Sequence, residues 1–382
     1  MIFKNGRLIF PNGVQDGLDL LAHDGLITAI RPQAAAMGEK IIDLQNNYLA
    51  PGFIDLHVHG AMGRDTMQAS TKAFRAICDY HASGGTTSLL LTTATASIKA
   101  ILKVVDAVRA EKSSVKQIAG VHVEGPFISK SKAGAQRTNL MRNPNKKFYK
   151  PLLENCDIIR RMTVAPELPG AIELIDELRE HDISVSGGHS DAWEDDARAG
   201  FEHGMRSVTH TFNCMSTTRR RGIDRIGGLL EFAMSEPEII CELIADGRHV
   251  SPTLMKMLYR AKRFNGICLV TDATAGAGLA AGSKFSLYGT KCVVEDGVCL
   301  LADRSALAGS AARMIDLVRN MVTKVGVPLH EAVGMATDTP AYSISLTNKG
   351  QFKIGGDADL VVISPELEVV RTFLRGDEIF SR

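Results

Sequence analysis

The chain has 382 residues, 45% of them apolar, and a formal net charge of +1 from 44 Lys and Arg against 43 Asp and Glu. That balance leaves no footprint for nucleic acid or for an anionic membrane surface, and no uncharged stretch is long enough to span a bilayer. The seven scattered cysteines form no CxxC pair, which suits a reducing cytosol. Met1-Ile2-Phe3-Lys4-Asn5-Gly6-Arg7 carries charges and a glycine where a secretory leader needs an apolar run. A cytoplasmic enzyme or binding protein is expected.

Residues 1 to 50 alternate short apolar runs with turn residues, as in Leu8-Ile9-Phe10 before Pro11-Asn12-Gly13, and predict small antiparallel strands. From Pro51 onward, β-branched runs alternate with amphipathic helical stretches. Strands are predicted at 53–59, 86–92, 118–124, 161–166, 183–189, 206–210, 239–245 and 267–272. Helices are predicted near 71–83, 97–111, 146–156, 169–181, 191–203, 225–235 and 252–264. Strands and helices alternating in this way point to parallel βα units and a (β/α)8 barrel. Residues 283–301 read as a hairpin-like insertion, followed by helices near 310–325 and 329–337. Short strands return in 358–363 and 369–374. The expected fold is therefore α/β: a TIM-like barrel of residues 51–344 inserted into a small β-sandwich built from residues 1–50 and 345–382.

Chemistry in such barrels sits at the C-terminal strand ends. Strand one ends in His57-Val58-His59, and side chains at i and i+2 of a strand share a face. The later strand ends carry Glu124, His189, His210 and Asp272, with His249 just beyond strand seven. Imidazole and carboxylate together suit Zn²⁺ or Fe²⁺ better than Ca²⁺ or Mg²⁺. Such an ion lowers the pKa of its water to about 7, and Asp272 is placed to accept and return a proton. Metal, hydroxide and carboxylate together make a hydrolase for amide-like bonds. His122 shares the face of Glu124 one layer deeper and reads as a core or supporting group. His23, His81, His181, His203 and His330 fall in loops or on helices and read as ordinary histidines. The glycines of 276–282 have the wrong spacing and place for a dinucleotide loop, and Glu194-Asp195-Asp196 suits the first turn of a helix.

Several segments together resemble the N-acetylglucosamine-6-phosphate deacetylases of the amidohydrolase superfamily. They are PGFIDLHVHG (51–60), HVEGPFIS (122–129), SGGHSDA (186–192), THTFNCM (209–215), IADGRHV (244–250), LVTDAT (269–274) and LAGSAARM (307–314). The resemblance implies removal of acetate from a 6-phosphorylated 2-acetamido sugar. It implies a main metal on Glu124, His189 and His210, one or two ions in all with the second on His57 and His59 bridged by Glu124, and Asp272 as general acid and base. Substrate contacts are implied at Ala135, Gln136, Asn213, Cys214, His249 and Leu307. Arg221, in the run Arg219-Arg220-Arg221-Gly222-Ile223-Asp224-Arg225, is implied to reach the phosphate across a homodimer interface. Gln136 stands where the family commonly has a histidine; an amide can bond a hydroxyl but carries no charge. The glucosamine and galactosamine configurations both remain open on these residues.

Two other readings compete. A cyclic amidase of the same superfamily would commonly place a carboxylated lysine at the end of strand four, where Thr163-Val164-Ala165-Pro166-Glu167 offers none. A non-catalytic sugar-phosphate-binding homologue would have lost ligands or the acid/base, and all are present.

Overall fold

A computed structural model describes residues 1–34 and 38–382. Eight parallel strands form one sheet: β1 (Phe53–Val58), β2 (Thr86–Thr93), β3 (Ile118–Glu124), β4 (Ile159–Val164), β5 (Ser184–Gly187), β6 (Met205–Val208), β7 (Ile240–Leu243) and β8 (Ile267–Leu269). Each pairs with its sequence neighbour, so the sheet is wound in a single sense. The helices between them pack their apolar stripes on its outer surface. Their starts are set by local chemistry: Ser70, Ser97 and Ser251 each accept a backbone N–H from the first turn, at the starts of helices 71–82, 98–111 and 252–262.

Strand eight is shorter than its apolar run suggests. The ladder between β7 and β8 ends at Leu269, and the chain then crosses to β1. Asp272 N–H donates to His57 O and His59 N–H to Ala273 O, both at 2.9 Å, which closes the barrel beside the two histidines. The Thr271 hydroxyl donates to Asp55 Oδ2 at 2.6 Å from inside the same seam.

Part of the barrel interior below the mouth is polar, where such barrels usually hold bulky branched side chains. Arg161 is fully buried. It donates to Ser186 and Ser207 at 3.2 and 2.8 Å, and pairs with Glu242 at 2.9 Å. Thr163 and Thr209 lie 2.9 Å apart above it.

Both chain ends build the second layer of the fold. Tyr48–Pro51 pairs in parallel with Arg7–Phe10 and antiparallel with Leu360–Ile363, so one six-stranded sheet draws on both termini. A four-stranded sheet of N-terminal strands accompanies it. Phe3, Leu8, Leu49, Leu360 and Phe373 share an apolar cluster separate from that of the barrel, with Phe3 and Phe373 edge-to-face at 5.0 Å.

Three expectations change. The insertion is a four-stranded antiparallel sheet (Lys284–Leu287, Thr290–Glu295, Val298–Leu301, Leu307–Ser310), because Leu307–Ser310 folds back as strand rather than starting a helix. The helix after it spans Met314–Asn320 and runs on as a π-turn over Met321–Val325. The stretch near 225–235 begins as the second strand of a hairpin (Arg219–Arg221 with Asp224–Ile226), and its helix covers only Leu229–Ser235.

Thr271→Val keeps the volume of the closing seam but removes the hydroxyl donor to a buried carboxylate. Urea unfolding should show a loss of roughly 1–3 kcal/mol. An unchanged midpoint and slope would mean that the bond contributes nothing to closure.

Candidate metal centre and its cavity

The mouth of the barrel gathers the residues that the strand ends nominate. Glu124 stands at the end of β3, almost fully buried, and its two oxygens face different neighbours. Oε1 lies 3.1 Å from His189 Nε2, 3.3 Å from His210 Nε2 and 3.5 Å from His57 Nε2. Oε2 lies 3.1 Å from His59 Nε2. Asp272 Oδ1 completes the cluster at 3.5 and 3.4 Å from the Nε2 atoms of His57 and His59.

The backbone delivers these side chains by turning sharply where the strands end. His189, His210 and Asp272 all sit at positive φ, at 46°, 30° and 47°. Left-handed backbone costs a non-glycine residue on the order of 1–3 kcal/mol and persists where the surroundings enforce it. Gly188 allows the approach beside His189, since a Cβ there would come within 2.6 Å of Thr209 Cβ.

The ring nitrogens are arranged for a cation. His57 Nδ1 faces Glu242 Oε2 at 3.2 Å and His189 Nδ1 faces the Lys132 carbonyl at 2.8 Å. Both partners only accept, so each Nδ1 carries a hydrogen and each Nε2 offers its lone pair. Yet His57 Nε2 lies 3.2 Å from His59 Nε2, and His189 Nε2 lies 3.1 Å from His210 Nε2. Such pairs need a proton or a metal ion between them. Two ligand triads result, His57–His59–Glu124 and Glu124–His189–His210, and their nitrogen and oxygen donors fit a divalent transition ion.

The local field agrees. Burial alone would raise Glu124, but the imidazoles of His57 and His189 hold it well below the usual carboxylate range. Burial likewise opposes charge on His57 and His189, and Glu124 outweighs it, so both lie well above the usual imidazole value. The negative field that draws protons to these rings also draws a divalent ion, and the two compete. Beneath them, burial of Glu242 is outweighed by Arg161 and His57, which hold it at about 2.

Ala135, Gln136, Asn213, Cys214, His249 and Leu307 line one cavity of about 280 Å³ together with His59, Glu124, His189, His210 and Asp272. His57 lies under its floor, fully buried. The Asn213 amide nitrogen is spent on the carbonyls of His210 and Thr211, both at 3.3 Å. His249 Nδ1 meets Asp246 Oδ2 at 2.7 Å. Burial alone would lower His249, but Asp246 raises it above the ordinary imidazole value. Arg221 is elsewhere: it pairs with Asp195 at 3.1 Å and lies over the Trp193 ring, outside the cavity lining of its own chain. Arg219 is also engaged, with Asp191 at 2.7 Å. His122 bridges Thr92 and Thr163 below the site. His81 is fully buried on helix 71–82, where desolvation lowers it to about 4.

Four contributors escape sequence reasoning. Glu242 and Arg161 stand inside strands whose text reads as core. Tyr288 comes from the inserted sheet and sets its hydroxyl 2.5 Å from His59 Nδ1. The Lys132 contribution is a carbonyl, which no side-chain pattern reveals.

The profile of the amidohydrolase family matches residues 48–379. The N-acetylglucosamine-6-phosphate deacetylase of Lysinibacillus sphaericus is 33% identical over 98% of this chain and 97% of its own length. The N-acetylgalactosamine-6-phosphate deacetylase of Escherichia coli O157:H7 is 31% identical over 98% of both chains. The crystal structure of N-acetylglucosamine-6-phosphate deacetylase from Pasteurella multocida superposes with a TM-score of 0.93 at 31% identity, covering 99% of this chain and 98% of the other. The chain belongs to the amidohydrolase family, among the N-acetylglucosamine-6-phosphate deacetylases.

Proposed function

We propose that this protein removes the acetyl group of N-acetyl-D-glucosamine 6-phosphate, releasing acetate and glucosamine 6-phosphate. The observation that carries this reading is one cavity set over two candidate metal-ligand triads that share Glu124, with Asp272 Oδ1 beside them. We assign one or two divalent ions, Zn²⁺ or Fe²⁺, to Glu124, His189 and His210 and to His57, His59 and Glu124. When bound, such an ion polarises the acetamide carbonyl and acidifies a water. Asp272 takes the proton of the attacking water on its carboxylate and returns it to the departing amine nitrogen. His249 and Asn213 hold the sugar, together with the backbone at Ala135 and Cys214 and the side of Leu307.

We further propose a cytoplasmic homodimer in which Arg221 reaches the phosphate bound in its partner's cavity. Two features support this: Arg221 lies outside its own cavity, and Ile223 at the tip of the same hairpin is 93% exposed. Among the described residues no helix is long and apolar enough to cross a membrane. We take residues 51–344 as the catalytic domain and residues 1–50 with 345–382 as the small one, a division supported by the apolar cluster that the two terminal segments share.

Acetate release tests the reaction, using metal-analysed protein and a panel of N-acetylglucosamine 6-phosphate, its galactosamine and mannosamine epimers, and unphosphorylated N-acetylglucosamine. The glucosamine 6-phosphate should be preferred, and chelation should abolish turnover until a divalent ion is restored. No acetate from any of them with metal bound would overturn the reading. Asp272→Asn should keep its metal and lose roughly 100- to 10,000-fold in kcat; full turnover would remove Asp272 from the reaction.

His249 yields a pH signature. With Nδ1 committed to Asp246, its Nε2 donates to substrate only while the ring is protonated. KM should therefore climb as pH rises through the raised His249 pKa. In Asp246→Asn the climb should start at lower pH, because the charge that favours the cation is gone. Superimposable KM profiles would show that the His249 charge plays no part in binding.

A further inference from the structure

We propose that Gln136 is a positioning residue for the carboxylate shared by the two metal triads, and so sets how tightly the site holds its ions. The inference rests on the deacetylase reading only for one arm of its test.

The Gln136 amide orientation is determined by its neighbours. The Thr95 backbone N–H donates to Gln136 Oε1 at 2.8 Å, so the other end of the amide must be the nitrogen. That Nε2 donates to Glu124 Oε2 at 2.6 Å. A donor facing a carboxylate is a short, charge-assisted contact. It also excludes Gln136 as a metal ligand, because an amide nitrogen has no lone pair to offer.

The contact falls where the site is least supported. Glu124 Oε1 faces three imidazole nitrogens, at 3.1, 3.3 and 3.5 Å. Among the described residues, Oε2 faces His59 and Gln136. Without the amide the carboxylate would be free to rotate toward the crowded side, and the His57–His59 triad would lose its oxygen. A carboxylate oxygen accepts at two positions, so the Gln136 N–H leaves room for an ion on the other.

The surrounding loops hold this clamp in place. Gly125 follows Glu124 at φ 76°, and a Cβ there would lie 2.2 Å from Thr95 Oγ1. The turn after β2 is thus pressed against the end of β3, which keeps the Thr95 N–H over Gln136. The loop that carries Gln136 is tied at its other end to a ligand. Ser129 N–H donates to His189 O, and the Lys132 carbonyl accepts from His189 Nδ1, both at 2.8 Å. One strap, 129–136, therefore steadies His189 from one side and Glu124 from the other. Hydrogen bonds of this kind behind metal ligands typically change metal affinity by about 10- to 100-fold.

The test is Gln136→Met, which keeps an unbranched side chain of similar length without the amide. Zn²⁺ affinity is read by competition with a chromogenic chelator, and KM for N-acetylglucosamine 6-phosphate is read at saturating Zn²⁺. The expected result is about 10- to 100-fold weaker Zn²⁺ binding with KM within about threefold of wild type. Zn²⁺ affinity within about twofold of wild type, with KM raised about tenfold, would overturn the proposal and make Gln136 a sugar contact. Gln136→Ala carries the same expectation if the methionine variant does not fold. Should wild-type protein release no acetate, the deacetylase reading falls, while the chelator measurement still decides the role of Gln136.

Discussion

One buried negative charge, on Glu124, organises the mouth of this barrel. A carboxylate taken out of water costs several kcal/mol unless its surroundings restore the lost interactions. Here four imidazoles and one amide do so. Those imidazoles must in turn be aimed, and the aim comes from deeper groups. Glu242 faces His57 from below, and Arg161 neutralises Glu242 from the far side. Ser186, Ser207 and Ser343 then fix the Arg161 guanidinium. The polar interior of the barrel is thus the lower part of the site. Replacing a buried ion pair by apolar side chains is often neutral or stabilising. The Arg161–Glu242 pair is therefore better understood through the ring it orients than through any gain in stability.

Strain is distributed in the same way. Three of the six converging side chains stand on left-handed backbone, and each lies where a strand stops and the chain turns across the mouth. The parallel ladder below is rigid enough to enforce those conformations, and the closure between β1 and residues 271–273 fixes the last of them. Asp272 N–H bonds to His57 O, so the proposed acid/base and a proposed metal ligand are held by one backbone contact. The inserted sheet continues from this point, since Ser310 N–H donates to Asp272 O. It brings Tyr288 to His59 and Leu307 to the cavity wall.

The barrel and most of its cavity were legible in the sequence because both rest on local regularities. β-branched runs alternate with amphipathic helices, and the polar side chains that break the apolar runs fall at strand ends. His57, His59, Glu124, His189, His210 and Asp272 all announce themselves in this way. Glu242 and Arg161 do not, because each stands mid-strand and its partner is distant in sequence. Only closing the sheet into a barrel makes them neighbours. Tyr288 is hidden for a similar reason: nothing near it indicates that an exposed-looking hairpin turn will reach over the mouth. The arginine run shows the opposite limit. Its text does not reveal that a hairpin forms there, in which Asp191, Asp195 and Trp193 engage Arg219 and Arg221 within the chain.

That hairpin is nevertheless registered to the candidate metal centre. Strand four ends without a lysine to bridge two ions, and the nearby carboxylate, Glu167, is committed elsewhere. It accepts from the Ser190 hydroxyl and the Asp191 N–H, both at 2.7 Å, and so braces the turn that follows His189. Asp191 then receives Arg219, whose guanidinium lies 3.9 Å from the centre of the Trp193 ring. Arg221 lies over the same ring at 4.7 Å. An unbroken series of short contacts thus runs from a proposed metal ligand to the arginines outside the cavity. An arginine held in this way reaches a neighbouring surface from a fixed origin, and less side-chain entropy is lost when it binds. The Glu167 brace therefore serves two tasks, steadying the turn that follows His189 and holding the hairpin outward.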